Sequence, residues 1–218
     1  MANIESLTFD QSGWQPIERT PYVHSWGDDI KNLRSVLSLE FFDAPPEIPV
    51  PLSDVKGLRF VYRTIANQSG AGLVSAEIDE VAGIGLIKTI FKLQQPNRGM
   101  VYVGSITAPF RDFSYVAKIQ SVELGMAGIR EAKVMDEFLA KNNPQKIDGE
   151  VEGWAADPYD PDTKYPFMPN VAEQQEYDKE FPDHALSKVR RTMKVIESTL
   201  RFDPELLESA KFTGEPEG

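Results

Sequence analysis

The chain has 218 residues, 26% charged and 41% hydrophobic, the balance of a soluble globular protein with room for one generous domain or two small ones. It has no cysteine and only two histidines, His24 and His184, which excludes a disulfide framework, an iron–sulfur or cysteine–zinc centre and a thiol nucleophile. A formal charge of −11 argues against nucleic acid as a partner, because neutralising phosphates needs clustered positive charge.

In chain order, Met1–Asp10 carries Glu5 and has neither a basic start nor an apolar run, so it does not read as a signal peptide. The expected location is cytoplasmic. Leu37, Leu39 and Phe41 alternate with Ser38 and Glu40, the period of a half-buried strand, and Asp43-Ala-Pro-Pro46 stops it. Ser53 is placed to cap a helix whose Val55, Leu58, Val61 and Ile65 recur at helical spacing until Gly70 and Gly72. The longest stretch without formal charge, Thr64–Ala76, is thirteen residues, too short for the roughly 20 of a membrane span. No membrane partner is expected.

Four strands are predicted next, around Val74–Asp79, Ile87–Leu93, Met100–Ala108 and Phe113–Ile119, with a turn at Gln95–Gly99. Their short connections require antiparallel pairing. Ile129, Ala132, Met135 and Phe138-Leu139 then mark a helix ending near Asn142-Asn143, with Arg130, Glu131, Asp136, Glu137 and Lys141 on its wet face. Asp183 is the expected N-cap of a helix carrying Leu186, Val189, Met193, Ile196 and Leu200, and Asp203-Pro204 opens a last short helix. The fold class is α+β: an antiparallel sheet of about five or six strands with helices packed on one face, plus C-terminal helices.

The charge is unevenly distributed. Residues 1–143 carry 17 acids and 14 bases, and residues 183–218 carry seven and six. Residues 144–182 carry ten acids, three bases and six prolines, which places most of the net charge in one connection. Trp154, Tyr159, Tyr165 and Phe167 are interleaved with those prolines, an unusual content for a disordered linker. Prolines restrict the backbone and the aromatics can anchor it, so the segment is either a solvated linker or an ordered strap. These four aromatics are also the candidate partner-contact residues, since aromatics anchor many interfaces.

Little chemistry is legible. His24-Ser25 followed by Trp26-Gly27-Asp28-Asp29 lacks a nucleophile elbow and reads as a turn into the Leu33–Phe42 strand. Gly83-Ile-Gly85 lacks the third glycine and following helix of a dinucleotide fingerprint. Asp157, Asp160 and Asp162 lack the glycine and glutamate of a calcium loop and read as an acidic turn. Glu77 with Asp79 or Glu80 is a pairing that 34 acids produce by chance. Lys188, Arg190, Arg191, Lys194 and Arg201 form either an anion or acidic-partner site or, as preferred, the polar face of a helix laid against the acidic strap. No catalytic residue, metal or cofactor is assigned.

The order of Trp26-Gly27-Asp28, a strand ending at Phe41-Phe42, a helix, several antiparallel strands and a helix at Gly125–Asn143 resembles the PsbP-like α/β fold family over roughly residues 14–141. The resemblance implies binding without catalysis, as in photosystem accessory subunits, small-GTPase partners and chaperones of type VI secretion effectors. No shared motif carries functional residues across. The expectation is three segments, a sheet domain (1–143), the strap (144–182) and C-terminal helices (183–218) on the same domain. The expected function is a non-enzymatic protein-binding module: an adaptor, chaperone or immunity-type inhibitor of another, possibly basic, protein. The alternatives are a small-molecule enzyme using carboxylates, possibly with a metal, and a structural subunit of an assembly. Carboxylates converging in a concave pocket favour the enzyme, and a large exposed apolar patch or a stable homo-oligomer favours the subunit.

Overall fold

The computed structural model describes residues 2–95, 99–123, 127–147 and 149–214. A short strand β1 (Leu7–Thr8) precedes β2 (Gln15–Arg19), β3 (Val23–Gly27), β4 (Ser35–Phe42), helix α1 (Val55–Gln68), β5 (Gly72–Val81), β6 (Ile84–Gln94), β7 (Met100–Pro109), β8 (Ser114–Val122) and α2 (Ile129–Asn142). After the two-residue strands β9 (Lys146–Ile147) and β10 (Glu150–Val151) come α3 (Ala185–Thr199), β11 (Arg201–Phe202) and α4 (Pro204–Leu207). Strands β2 to β8 form one seven-stranded sheet in the order β2-β3-β4-β8-β7-β6-β5, antiparallel throughout. Helix α1 carries the chain from β4 to the far edge, and the β5–β8 meander returns until Leu37 faces Ile119. Among the described residues no helix is long and apolar enough to cross a membrane.

The α+β class with an antiparallel sheet and packed helices is the observed one, and the sheet is larger than expected. The N-terminal hairpin of β2 and β3 was hidden because β2 is exposed at every position and shows no alternation. His24-Ser25-Trp26-Gly27 lies within β3, and Asp28-Asp29 makes the turn. Ala82 and Gly83 both have positive φ (53° and 79°), the geometry of a two-residue hairpin, which accounts for Gly83 without any cofactor. Asp54, one residue after Ser53, caps α1 by accepting from the Gly57 N–H. The expected turn at Gln95–Gly99 falls largely on residues 96–98, outside the described residues.

The sheet face beneath α3 is fixed by Gly104 in β7. A Cβ there would stand 2.4 Å from Met193 Sδ and 2.6 Å from Val189 Cγ1, so the helix rests on bare backbone. The register places Leu37, Leu39, Ala117, Ile119 and Ile106 on the same face, all buried, and Leu186, Val189, Met193 and Ile196 close the core from above. At the β5 end, α1 packs Tyr62 and Ala66 against Leu73, Ala76, Phe91 and Leu93. The two chain ends meet where β1 pairs with β11.

Candidate functional site

The acidic segment lies on the body as a strap, and its charge is met from beneath. Arg130, expected on the wet face of α2, is 2% exposed. Its guanidinium donates to the carbonyls of Ala172 (2.6 Å) and Gln174 (2.9 Å), to Asp178 Oδ1 (2.9 Å) and to Ser187 Oγ (2.8 Å). Arg190 of α3 donates to Asp178 (2.9 Å) and to the Glu173 carbonyl (2.5 Å). Lys92 of β6, also buried, lies 3.0 Å from Glu173 Oε2, and the Tyr102 hydroxyl donates to Glu173 Oε1 at 3.0 Å. The backbone N–H of Asn170 completes the shell of Glu173 in a capping box. Burial, then the Glu173 and Glu123 charges, push the Tyr102 phenol well above its ordinary range. Arg63 sits between Asp157 (3.5 Å) and Asp160 (3.3 Å), and Lys133 pairs with Glu180.

The four strap aromatics make contacts with the body. Trp154 is half-buried and meets Phe138 of α2 edge-on, with ring centres 5.6 Å apart. The Tyr159 hydroxyl accepts from the Ala76 N–H at 2.7 Å, and the Arg59 guanidinium lies 3.8 Å from its ring centre. Tyr165 is 8% exposed, and burial followed by the neighbouring Asp157 carboxylate raises its phenol. Phe167 lies against Lys92, 4.6 Å from its ammonium, and its carbonyl would be 2.2 Å from a Cβ on Gly72. Tyr159 and Arg59, which donates to the Ala76 carbonyl, thus occupy the outer edge of β5. Asp157 accepts from the N–H groups of Tyr159 and Asp160, and Asp160 accepts from Thr163 Oγ1, so these acids build a turn. Among the described residues no three His, Asp or Glu form a group able to hold a metal ion.

Next to the strap a cavity of about 510 Å³ opens between the end of β8 and the first turns of α2 and α3. Glu123 and His184 stand in its wall, with His184 Nε2 2.5 Å from Glu123 Oε1. His184, one residue after the expected Asp183, caps α3 by accepting the Leu186 N–H on Nδ1, which leaves the ring proton on Nε2 for Glu123. The other Glu123 oxygen accepts from the Met100 N–H at 2.8 Å. Burial pushes this carboxyl up, and these two bonds outweigh it and hold the group below its ordinary value. A second cavity of about 210 Å³ shares Glu123, Arg130 and His184 with the first, and adds Lys92, Tyr102, Glu131, Glu173, Trp154 and Phe167.

Of the five cations expected on the penultimate helix, Arg190 faces the strap, Lys188 reaches Asp28 Oδ2 at 2.5 Å and Arg191 reaches the Pro182 carbonyl. Arg201 falls beyond the helix, in β11. His24 Nε2 lies 3.7 Å from Glu5 Oε1. At the other sheet edge, Ile17, Ile30 and Leu33 are each about half exposed. The tips of Leu33 and Ile17 close over Gly27, at 2.6 and 3.1 Å from where its Cβ would be.

Sequence reasoning missed Lys92, Glu173, Arg130 and the Glu123–His184 pair. The Asn170-x-x-Glu173 capping-box spacing was a readable signal. The others depend on contacts across 42 to 81 residues of chain.

No protein-family model and no curated protein matches the chain. Among solved structures, it is similar to cyanobacterial PsbP from Synechocystis sp. PCC 6803, with 16% identity over 62% of this chain and 82% of that one, at a TM-score of 0.37. It is also similar to a protein from Bacteroides thetaiotaomicron VPI-5482, with 6% identity over 57% of this chain and a TM-score of 0.37. The chain spans 41% of that protein's length. The resemblance read from the element order and this likeness name the same fold family, and neither says what this chain binds.

Proposed function

We propose that the chain is a non-enzymatic protein-binding module, an adaptor, chaperone or inhibitor, working in the cytoplasm as one unit of body, strap and C-terminal helices. The observation that carries this reading is the pair of half-exposed apolar side chains Ile17 and Leu33, whose tips meet over Gly27 beside the edge strand β2, with Ile30 exposed in the turn after β3. Exposed apolar side chains gathered at a sheet edge are a binding surface more often than isolated ones are. Pro16, Glu18 and the bulge between Pro16 and Glu18 discourage strand addition, so the partner docks on the side chains rather than on the edge backbone. The chain's net charge of −11 steers a basic protein toward it. Trp154, Tyr159 and Phe167, which keep part of their surface open, are a second candidate contact face.

The test is affinity capture from native cells with the full chain, the Ile17→Ser/Leu33→Ser variant and the Trp154→Ala/Phe167→Ala variant. The reading expects a protein partner that the first variant loses while its melting temperature holds. Partners retained equally by both variants would contradict it.

The alternative of a carboxylate enzyme is favoured by one observation: Glu123, Glu131 and Glu173 line a single cavity with Lys92, Tyr102 and His184. Turnover of a small molecule that disappears in Glu123→Gln would replace the binding reading with this one.

A further inference from the structure

We propose that the 510 Å³ cavity between α2, α3 and the end of β8 binds a small organic acid through Arg34 and Arg191, a site independent of the protein-binding surface. Its volume lies within the roughly 300–1,000 Å³ of small-molecule sites. Val122, Ile129, Phe181 and Pro182 give it apolar walls. The charges around it are mostly committed elsewhere. Glu123 is held by His184 and the Met100 N–H, Glu180 by Lys133, Arg130 by Asp178 and Lys188 by Asp28. Two guanidinium groups and the Asp183 carboxylate remain. Among the described residues no carboxylate pairs with Arg34 or Arg191, and Arg191 has only the Pro182 carbonyl.

A guanidinium presents paired N–H donors that match a carboxylate, and apolar walls suit an organic body behind it. Both helices begin at this cavity, and the first turn of α2 has no side-chain cap, so their backbone dipoles add potential of the same sign. Asp183, also in the wall, repels a second negative charge, which favours a monoanion over a phosphate dianion. The site recovers part of the anion-binding reading of the basic helix, with Arg191 in that role and Arg190 assigned to the strap.

The experiment is calorimetric titration and thermal denaturation of the full chain with benzoate, hexanoate, the neutral isostere benzamide and inorganic phosphate, repeated with Arg34→Gln and Arg191→Gln. Both side chains are exposed, so the variants keep the fold. The expected result is binding of at least one organic acid at millimolar concentration, no binding of benzamide, and a loss of about tenfold in affinity for each variant, the size of one charge-assisted contact. Failure of both acids, equal binding of benzoate and benzamide, unchanged affinity in both variants, or tighter binding of phosphate would each overturn the proposal.

Discussion

Asp28 ties the turn after β3 to α3, and its protonation has a readable consequence. Burial works against its charge, but hydrogen bonds from Lys188 and from the N–H groups of Ser35 and Arg34 outweigh this and bring the carboxyl from 3.8 to about 2. A group held down in the folded chain stabilises it above the unfolded value and loses that contribution as pH falls toward the folded one. Asp28→Asn should therefore cost about 1 kcal/mol at pH 7, the full shift being reduced by solvent screening, and the difference should shrink steadily between pH 3.8 and about 2. Urea denaturation across that range checks it, and a penalty independent of pH would contradict the assignment. Arg130 has the larger stake, because removing it leaves the buried Ala172 carbonyl without its donor, takes one from the Gln174 carbonyl, and leaves Asp178 to Arg190 and Ser187 alone. Arg130→Met should cost about 2–4 kcal/mol in the same measurement, since each buried acceptor left without its donor costs about 1–3 kcal/mol. Arg130→Lys, which keeps the charge but not the fork of donors, should recover only a minor part.

Among the elements, α3 does most to join the layers, since it packs on β7 and β8, receives the strap at Arg190 and starts at His184. Gly104→Ala would press a methyl against Met193 and Val189 and should cost about 1–3 kcal/mol by denaturant melts; a neutral result would mean the helix does not sit on bare backbone there. The elements legible in the sequence were those with a strong period. The α1 helix from Val55, the β4 alternation around Leu37–Phe41 and the Asp203-Pro204 helix start stand where the spacing placed them, although α1 buries Leu58 and Ala66 and leaves Ile65 of the expected stripe about half exposed. The hairpin of β2 and β3 was not legible because its outer strand has no buried face. Lys92 was missed for a different reason. It alternates correctly in β6, but the face it occupies is the buried one, and only Glu173, 81 residues away, makes a lysine tolerable there.

For the whole molecule, the −11 has to be divided by place. The strap holds the largest share, yet Asp157, Asp160, Glu173, Asp178 and Glu180 all face cations from α1, β6, α2 or α3. The strap is therefore a structural element closed by internal pairs, and it was its contacts, not its composition, that the sequence left unread. Its aromatics and prolines pointed to order, and Tyr165 and Phe167 have found places on the body. Because Lys92–Glu173 and Arg130–Asp178 are shielded from water, salt should weaken the strap little. Limited proteolysis between residues 155 and 180 should be about as slow in high salt as in low, whereas rapid cleavage on adding salt would indicate pairing through open solvent. The most direct measurement is native-state hydrogen exchange at the amides of Ala156, Val171 and Glu173, each of which donates to a carbonyl in the structure. Protection should approach that of the β7 core and collapse in Arg130→Met. Exchange at the rates of an unstructured chain would contradict it.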